Sequence, residues 1–362
     1  VLKLSESPLI IGNLNLFTLT CVAVVWIITY FVLSRGIKLL SKVLLFTVPI
    51  PFFLIVLLAG RSIILPGGIE GFFYFLKPDM SKVLTIDVWT AAASQVILSL
   101  SLGMGQMVAY SSMRKENSNS IRPAISLIGG DFLFSLFAGI AVFCTFGAMQ
   151  TQLGLPVEVT PEAAKGLAGP SLAFVTYPMA ISALPYASIW GFLFFFMLFL
   201  LGIDSVFAVV EANITDLKTV FPKYSKPKLI ASFCILSFIG GSMFCFGNGL
   251  YLLDTVDHWV GNFAIFSIII LQCIVFGLNS KIQELATYLG VWMKGRKFVS
   301  WRIWSSFVLP FIFTIFVFTQ LYKEFNSTYS GYPKEFVLVF GWGVFISAIV
   351  IGYFISKIHN KV

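Results

Sequence analysis

Apolar residues run through this chain in long blocks, and polar residues collect in the stretches between them. Nine blocks reach the length a helix needs to cross hydrocarbon, about 20 residues. They are 15–34, 40–60, 88–112, 125–149, 187–213, 228–249, 257–278, 303–321 and 336–356. None shows the strict alternation of a membrane-spanning strand. Lipid offers no partner to a peptide N–H or C=O, so helices that bond internally are the economical reading. The pattern predicts an all-α polytopic membrane protein with nine transmembrane helices. Two connecting stretches are long. Residues 61–87 hold the turn Leu65-Pro66-Gly67-Gly68, then Gly71-Phe72-Phe73-Tyr74-Phe75-Leu76, which reads as a short amphipathic helix at the interface. Residues 150–186 carry breaks at Gly154-Leu155-Pro156 and Gly169-Pro170. Loops of this length are lids or simple tethers.

Composition narrows the class. Of 362 residues, 58% belong to the apolar set and 11% are charged. A soluble domain carries about 25% charge, and a single soluble core stops growing near ~250–300 residues. A soluble globule, a disordered chain and a disulfide scaffold are all excluded. The net charge is +8. In a soluble protein that excess would raise the question of nucleic acid; here it has a topological use, and no nucleic-acid partner is expected. Stretches 35–42, 114–122, 218–228, 281–302 and 357–361 together carry seventeen Lys and Arg, and the alternate stretches carry seven. The positive-inside rule places the first set in the cytoplasm. The C-terminus is then cytoplasmic and residue 1 extracytoplasmic, in a plasma membrane or a bacterial inner membrane. The chain starts with Val, and residues 1–14 lack the basic and apolar regions of a signal peptide. It reads as a fragment preceded by an odd number of helices. Cys21, Cys144, Cys234, Cys245 and Cys273 lie in apolar blocks without ligand spacing and read as packing residues.

Candidate chemistry lies where charge is expensive. Asp131, Asp204 and Glu211 fall inside spans, and Asp254 and Asp257 near the end of one. Intramembrane carboxylates are functional by default, and Asp131 and Asp204 are candidates for cation coordination or proton relay. Glu211, near a span end, fits a structural role as well. Lys and Arg occur in the spans only near their ends, which predicts no intramembrane ion pair. The block 88–112 is interrupted by Ser99, Ser101, Gly103 and Gly105. It is either a small-residue packing seam or a helix broken near the midplane, whose freed carbonyls can hold a cation. Gly202-Ile203-Asp204-Ser205 puts two hard oxygen ligands side by side. Asp131 with Ser135, and Gln95 with Ser99, share helix faces at i,i+4. Buried oxygens without buried cations point to bound Na+. His258 and His359 are the only histidines. Neither zinc-protease nor serine-hydrolase motifs occur, so His258 reads as a rim residue and no enzyme is expected.

These residues resemble a known family. Arg35-Gly36-Ile37 with Ser41-Lys42-Val43, Leu65-Pro66-Gly67, Phe75-Leu76-Lys77-Pro78-Asp79, Val88-Trp89 through Gly105, Ala138-Gly139, Gly166-Leu167-Ala168 with Tyr177-Pro178, Leu201 through Ser205, and Leu253-Asp254 with Asp257 follow the order of the neurotransmitter:sodium symporters. That family has twelve helices in the LeuT-type inverted-repeat bundle, and these nine resemble helices four to twelve, with the first three missing. The resemblance implies one transporter domain over 1–362, with 15–60 ending the first repeat, 88–278 forming the second and 303–356 two peripheral helices. It implies a first sodium site with Ser99 and Asp131, and a second with Leu201, Asp204 and Ser205. It also implies a substrate pocket lined by Leu98, Ser99, Ser101, Met104, Ser205 and Val209, and an outer gate at Asp257. Each sodium site is incomplete in this fragment.

The departures from the family are informative. Leu98 stands where many members have an aromatic lid. Phe46 stands where many bacterial members have the proline of a Gly-x9-Pro hinge, and Pro49 and Pro51 follow. Gln95, Ser99, Asp131 and Ser135 match the chloride site of animal members, with Asp131 replacing an Asn. A fixed carboxylate there supplies the charge that chloride would. The expectation is sodium-coupled symport of a neutral amino acid or related amine, independent of chloride. As an extension, Asp131 takes a proton on the sodium-free return. Another LeuT-fold carrier driven by sodium or protons is the alternative.

Overall fold

The computed structural model describes residues 4–112, 121–152, 154, 172–182, 186–278 and 303–359. Pro156, the segment 166–170, Arg114, Lys115, the cations of 281–302 and the His359 side chain lie outside the described residues. Every regular element described is helical. In chain order they are α1 (Leu16–Ser34), α2 (Ile37–Thr47), α3 (Pro49–Ile63), α4 (Gly68–Leu76), α5 (Met80–Val83), α6 (Ile86–Ser99), α7 (Gln106–Ser112) and α8 (Ile121–Gln152). A π-helical turn, Leu172–Thr176, leads into α9 (Tyr177–Ser182), followed by α10 (Ala187–Val220) and α11 (Lys226–Gly241). Next come α12 (Gly249–Trp259) and α13 (Ile265–Leu278), joined by the π-turn Val260–Ala264. The π-turn Trp304–Val308 opens α14 (Leu309–Asn326), and α15 (Lys334–Val337) runs through Leu338–Trp342 into α16 (Gly343–His359).

Eight of the nine expected spans are single helices or joined helices long and apolar enough to cross a membrane. The ninth, 88–112, is split into α6 and α7, each too short to cross alone. Large apolar side chains such as Phe17, Phe31, Phe53, Phe132 and Phe192 are exposed, a surface that suits lipid. Hydroxyls inside spans bond back to the carbonyl four residues earlier, as Thr29 does to Val25 and Thr255 to Tyr251. That satisfies them where water is absent.

The chain divides into two compact units. The first comprises Val1–Gly36, Ile86–Ala124 and Ala208–Val362. In it α1 packs along α11, and α13 along α14. Ile97, Ile265, Phe266, Ile269 and Phe316 form one buried cluster, and Trp259, Phe263 and Val337 another. Two boundaries differ from the sequence expectation here. The helix expected over 228–249 stops in a 3-10 turn at Cys245, and the next begins at Gly249, eight residues before the expected 257. Phe246-Gly247-Asn248 turns the chain between them, held by the N-terminal segment. Ser5 N donates to Gly247 O (3.0 Å), Asn15 N to Cys245 O (2.9 Å) and Asn248 N to Ile11 O (3.1 Å).

An ion pair at the end of a span gives Glu211 the structural role that its position allowed. Glu211 on α10, 2% exposed, meets Lys226 Nζ at 2.5 Å. The turn 221–225 brings the first residue of α11 back beside α10, a contact that helix-by-helix bookkeeping does not reveal. Lys218 Nζ clamps that turn by donating to the carbonyls of Pro222 and Tyr224.

The second unit comprises Ile37–Thr85 and Ile125–Phe207. Its core joins α3, α8, α9 and the first half of α10 through Leu54, Ile55, Leu58, Ala141, Tyr177, Phe194 and Met197. Tyr177 stacks on Phe194 (centroids 4.4 Å, 10° between planes). Its hydroxyl lies 3.4 Å from Thr145 Oγ1, which in turn lies 2.7 Å from Ser62 Oγ. Burial pushes the Tyr177 hydroxyl up to about 12, against the hydrogen bond from Thr145. The short helix expected in 61–87 is α4, which lies along α8 with Phe75 stacked on Phe143 at 5.1 Å. Gly67 starts it with φ 82°, in the region where a side chain is strained.

Removing one partner of a buried ion pair strands the other charge, at about 3–5 kcal/mol. Lys226→Met, which leaves the buried Glu211 without its partner, is expected to lower the melting temperature in detergent sharply, and Lys226→Met with Glu211→Gln to recover most of the loss. Equal melting temperatures for the single variant and the parent would contradict the pairing.

Candidate ion and substrate site

The interrupted span is a gap. α6 ends at Ser99 and α7 starts at Gln106. Between them Ser101, Gly103 and Gly105 take φ values of 52°, 76° and 80°. Such values end a right-handed helix, and they come cheaply only to glycine. Ser101 is therefore strained, by about 1–3 kcal/mol for a residue of this kind. Ser101 N turns back to Leu98 O (3.1 Å) and Leu102 N to Ile97 O (2.9 Å), while Ala109 N bonds Gly105 O (2.9 Å) as the second half begins. Gly103 also meets the packing-seam reading halfway. A Cβ there would come 2.9 Å from Ile269 and 3.3 Å from Ile265 on α13. The same glycine allows the bend and the close approach.

Within the first unit this span carries Gln95, Leu98, Ser99, Ser101 and Met104. Gln95, Ser99 and Met104 are exposed, and Leu98 and Ser101 half-buried. Ser99 Oγ donates to Val96 O at 3.2 Å. Val209, exposed on α10, belongs to the same unit, and its carbonyl accepts from Asn213. Asp257 sits in α12 with its side chain exposed, whereas Asp254 one turn earlier is braced. Tyr329 and Tyr332 donate their hydroxyls to its two oxygens at 3.2 and 2.9 Å. Burial, then Asp254, raises the Tyr332 hydroxyl well above its ordinary value. His258 lies on the Tyr329 ring at 3.8 Å, with Nε2 2.9 Å from Glu324 and Nδ1 3.1 Å from the Asn262 amide. With the amide donating to Nδ1, Nε2 carries the proton given to Glu324. This is a cross-brace between α12 and α14. Among the described residues no three His, Cys, Asp or Glu side chains gather as a metal-binding group.

Within the second unit, Asp131 and Ser135 lie one turn apart on α8, Asp131 half-buried and Ser135 exposed. On α10, Ser205 Oγ donates to Leu201 O at 3.0 Å. Asp204, the residue before Ser205, has an Oδ1 that is buried and makes no hydrogen bond. A carbonyl, a hydroxyl and an orphaned carboxylate oxygen within one helical turn form a hard-oxygen donor set that suits an alkali cation. Thr47 of α2 lies near the Asp204 carboxylate, with its own hydroxyl donating to Val43 O at 3.1 Å. Sequence reasoning missed Thr47, although its place two residues before Pro49 and four before Pro51 marks a point where the helix must yield.

A discontinuous span among helices apolar enough to cross a membrane fits the class of membrane carriers. The comparisons define the family within that class. A family model described as the sodium:neurotransmitter symporter family matches residues 1–360, and the chain belongs to that family. It is 32% identical to the sodium- and chloride-dependent creatine transporter 1 of Bos taurus, over 97% of this chain and 56% of that protein. It is 30% identical to the sodium- and chloride-dependent glycine transporter 2 of Xenopus laevis, over 97% of this chain and 44% of that one. It is 33% identical to an uncharacterized sodium-dependent transporter of Methanocaldococcus jannaschii, over 99% of this chain and 72% of that one. The chain thus spans about half the length of the animal relatives. The family and the relatives are transporters and not enzymes, and the apolar helices make this an integral membrane protein.

A side chain at Gly103 must both strain the backbone and push on α13. Gly103→Ala is expected to destabilise the protein by about 1–3 kcal/mol, read by thermal unfolding in detergent. Parental stability would show that the gap tolerates a side chain.

Proposed function

We propose that this chain forms the larger part of a sodium-coupled symporter for a neutral amino acid or a related amine, working by alternating access around the gap between α6 and α7. The observation that carries the reading is the buried Asp204 oxygen without a hydrogen bond, in the same helical turn as the Leu201 carbonyl and the Ser205 hydroxyl. One sodium ion is assigned to Leu201, Asp204 and Ser205, and a second to Ser99 and Asp131. Leu98, Ser99, Ser101, Met104, Ser205 and Val209 line the substrate pocket, and Asp257 serves as the outer gate carboxylate. An apolar, hydroxyl-bearing lining suits a substrate with a medium-sized apolar side chain. The sodium gradient does the work, with about 2.3 kcal/mol for each charge crossing 100 mV. In this arrangement the C-terminus is cytoplasmic, and residues 15–60 and 88–278 belong to opposed repeats.

Chloride independence is the finer part of the proposal. The animal relatives are named sodium- and chloride-dependent, and the archaeal one sodium-dependent. Asp131, with Gln95, Ser99 and Ser135, is assigned to supply the negative charge beside the cation. A carboxylate in a medium of low dielectric stabilises a cation a few ångströms away as a bound halide would.

Uptake by the full-length carrier is expected to vanish without sodium, to persist when gluconate replaces chloride, and to become chloride-dependent in Asp131→Asn. Uptake by the parent that needs chloride would remove the role given to Asp131 while leaving sodium coupling intact. Uptake that persists without sodium would remove both.

A further inference from the structure

The faces of α1 and α11 that pack together do not close along their whole length. Asn15 N bonds Cys245 O just before α1 and just after α11, so the two helices run antiparallel from that point. At 1.5 Å per residue, Arg35 at the end of α1 comes level with the start of α11 at Lys226. Between the helices lies an apolar groove of about 400 Å³. Three residues along it are small, Ala23 on α1 with Ala231 and Cys234 on α11, and three carry large rings, Trp26, Tyr30 and Phe238. The small side chains leave the hollow, and the rings give it sides. Phe31 and Ile235 at its edge are exposed. From Ala23 to Phe31 the groove is about 12 Å long, a slot for a flexible hydrocarbon chain.

One end of this groove is charged. Arg35 lies one turn beyond Phe31, and Lys228 one turn before Ala231. Residues three or four apart share a helix face, so both cations continue faces that line the groove, at the same end. Both are exposed, and among the described residues neither makes an ion pair. The carboxylate of Glu211 is already taken by Lys226. We propose that the groove holds an anionic phospholipid of the bilayer, one acyl chain along Ala23, Trp26 and Ala231 and the phosphate between Arg35 and Lys228. Packed helices lie about 8–10 Å apart, and the long side chains of Arg and Lys close on a phosphate from its two sides. The guanidinium grips phosphate oxygens as a fork, and the ammonium adds a point charge. A zwitterionic headgroup brings a cation to two cations, and a sterol brings no anion. A second copy of the chain on this face brings Arg35 and Lys228 again. The proposal needs only a chain that spans lipid, and it stands apart from the sodium site.

The test uses the full-length carrier in nanodiscs of phosphatidylcholine, with dibrominated lipids as contact quenchers of tryptophan. The part of the fluorescence lost in Trp26→Phe reports on the groove. Dibrominated phosphatidylglycerol is expected to quench that part at about tenfold lower mole fraction than dibrominated phosphatidylcholine, from the attraction of two cations for an anionic headgroup. The preference is expected to vanish in Arg35→Gln with Lys228→Gln, two exposed positions whose replacement leaves the thermal unfolding of the carrier as in the parent. It is also expected to vanish in Ala231→Leu, which fills the hollow and keeps both cations. Equal quenching by the two lipids overturns the proposal, as does a preference that survives Arg35→Gln with Lys228→Gln. Stronger quenching by a dibrominated sterol assigns the groove to sterol, and Trp26 fluorescence that no brominated lipid quenches shows protein covering it. Either result rejects the phospholipid.

Discussion

Hydrocarbon offers a peptide group nothing to bond with, so a helix that stops inside a membrane leaves N–H and C=O groups that something else must satisfy. In this chain that constraint bears on residues 100–105, where α6 ends and α7 begins, and on the Val48 step between α2 and α3. Neither is forced by loop length, because both lie within otherwise unbroken apolar blocks. Each is caused by particular residues: left-handed backbone at Ser101, Gly103 and Gly105, and missing donors at Pro49 and Pro51. Backbone strain of this kind costs energy that the surrounding structure must supply.

The carboxylates divide by how their charge is answered. Glu211 is answered by Lys226, and Asp254 by two tyrosine hydroxyls. These are braces, tying α10 to α11 and the α14–α15 turn to α12. His258 and Glu324 extend the second brace. Asp204 is different, since one of its oxygens is buried with no hydrogen bond. A buried carboxylate oxygen left so is costly, and that open lone pair is what the proposed cation site rests on.

Much was legible because membrane physics simplifies the code. Length and apolar content alone locate a span, so eight of the expected blocks return as helices with shifted ends. The break in 88–112 was visible as serines and glycines at alternate positions. The misjudged boundaries have one cause. At Phe246-Gly247-Asn248 the chain turns inside an apolar stretch, and the turn is held by residues 5–15 from the far end of the sequence.

What the sequence by itself determined is the class, the spans, the family and the residue types that can bind an alkali ion. These follow from hydropathy, from charge and from motif order, all of which are local. Only the tertiary structure decided that Glu211 is neutralised across a turn, that Asp254 is tied down by tyrosines about 75 residues away, and that one oxygen of Asp204 is buried without a hydrogen bond. Hydrogen-bond partnership depends on which side chains the packing brings within 3 Å or so, and no property of a single position along the chain records that.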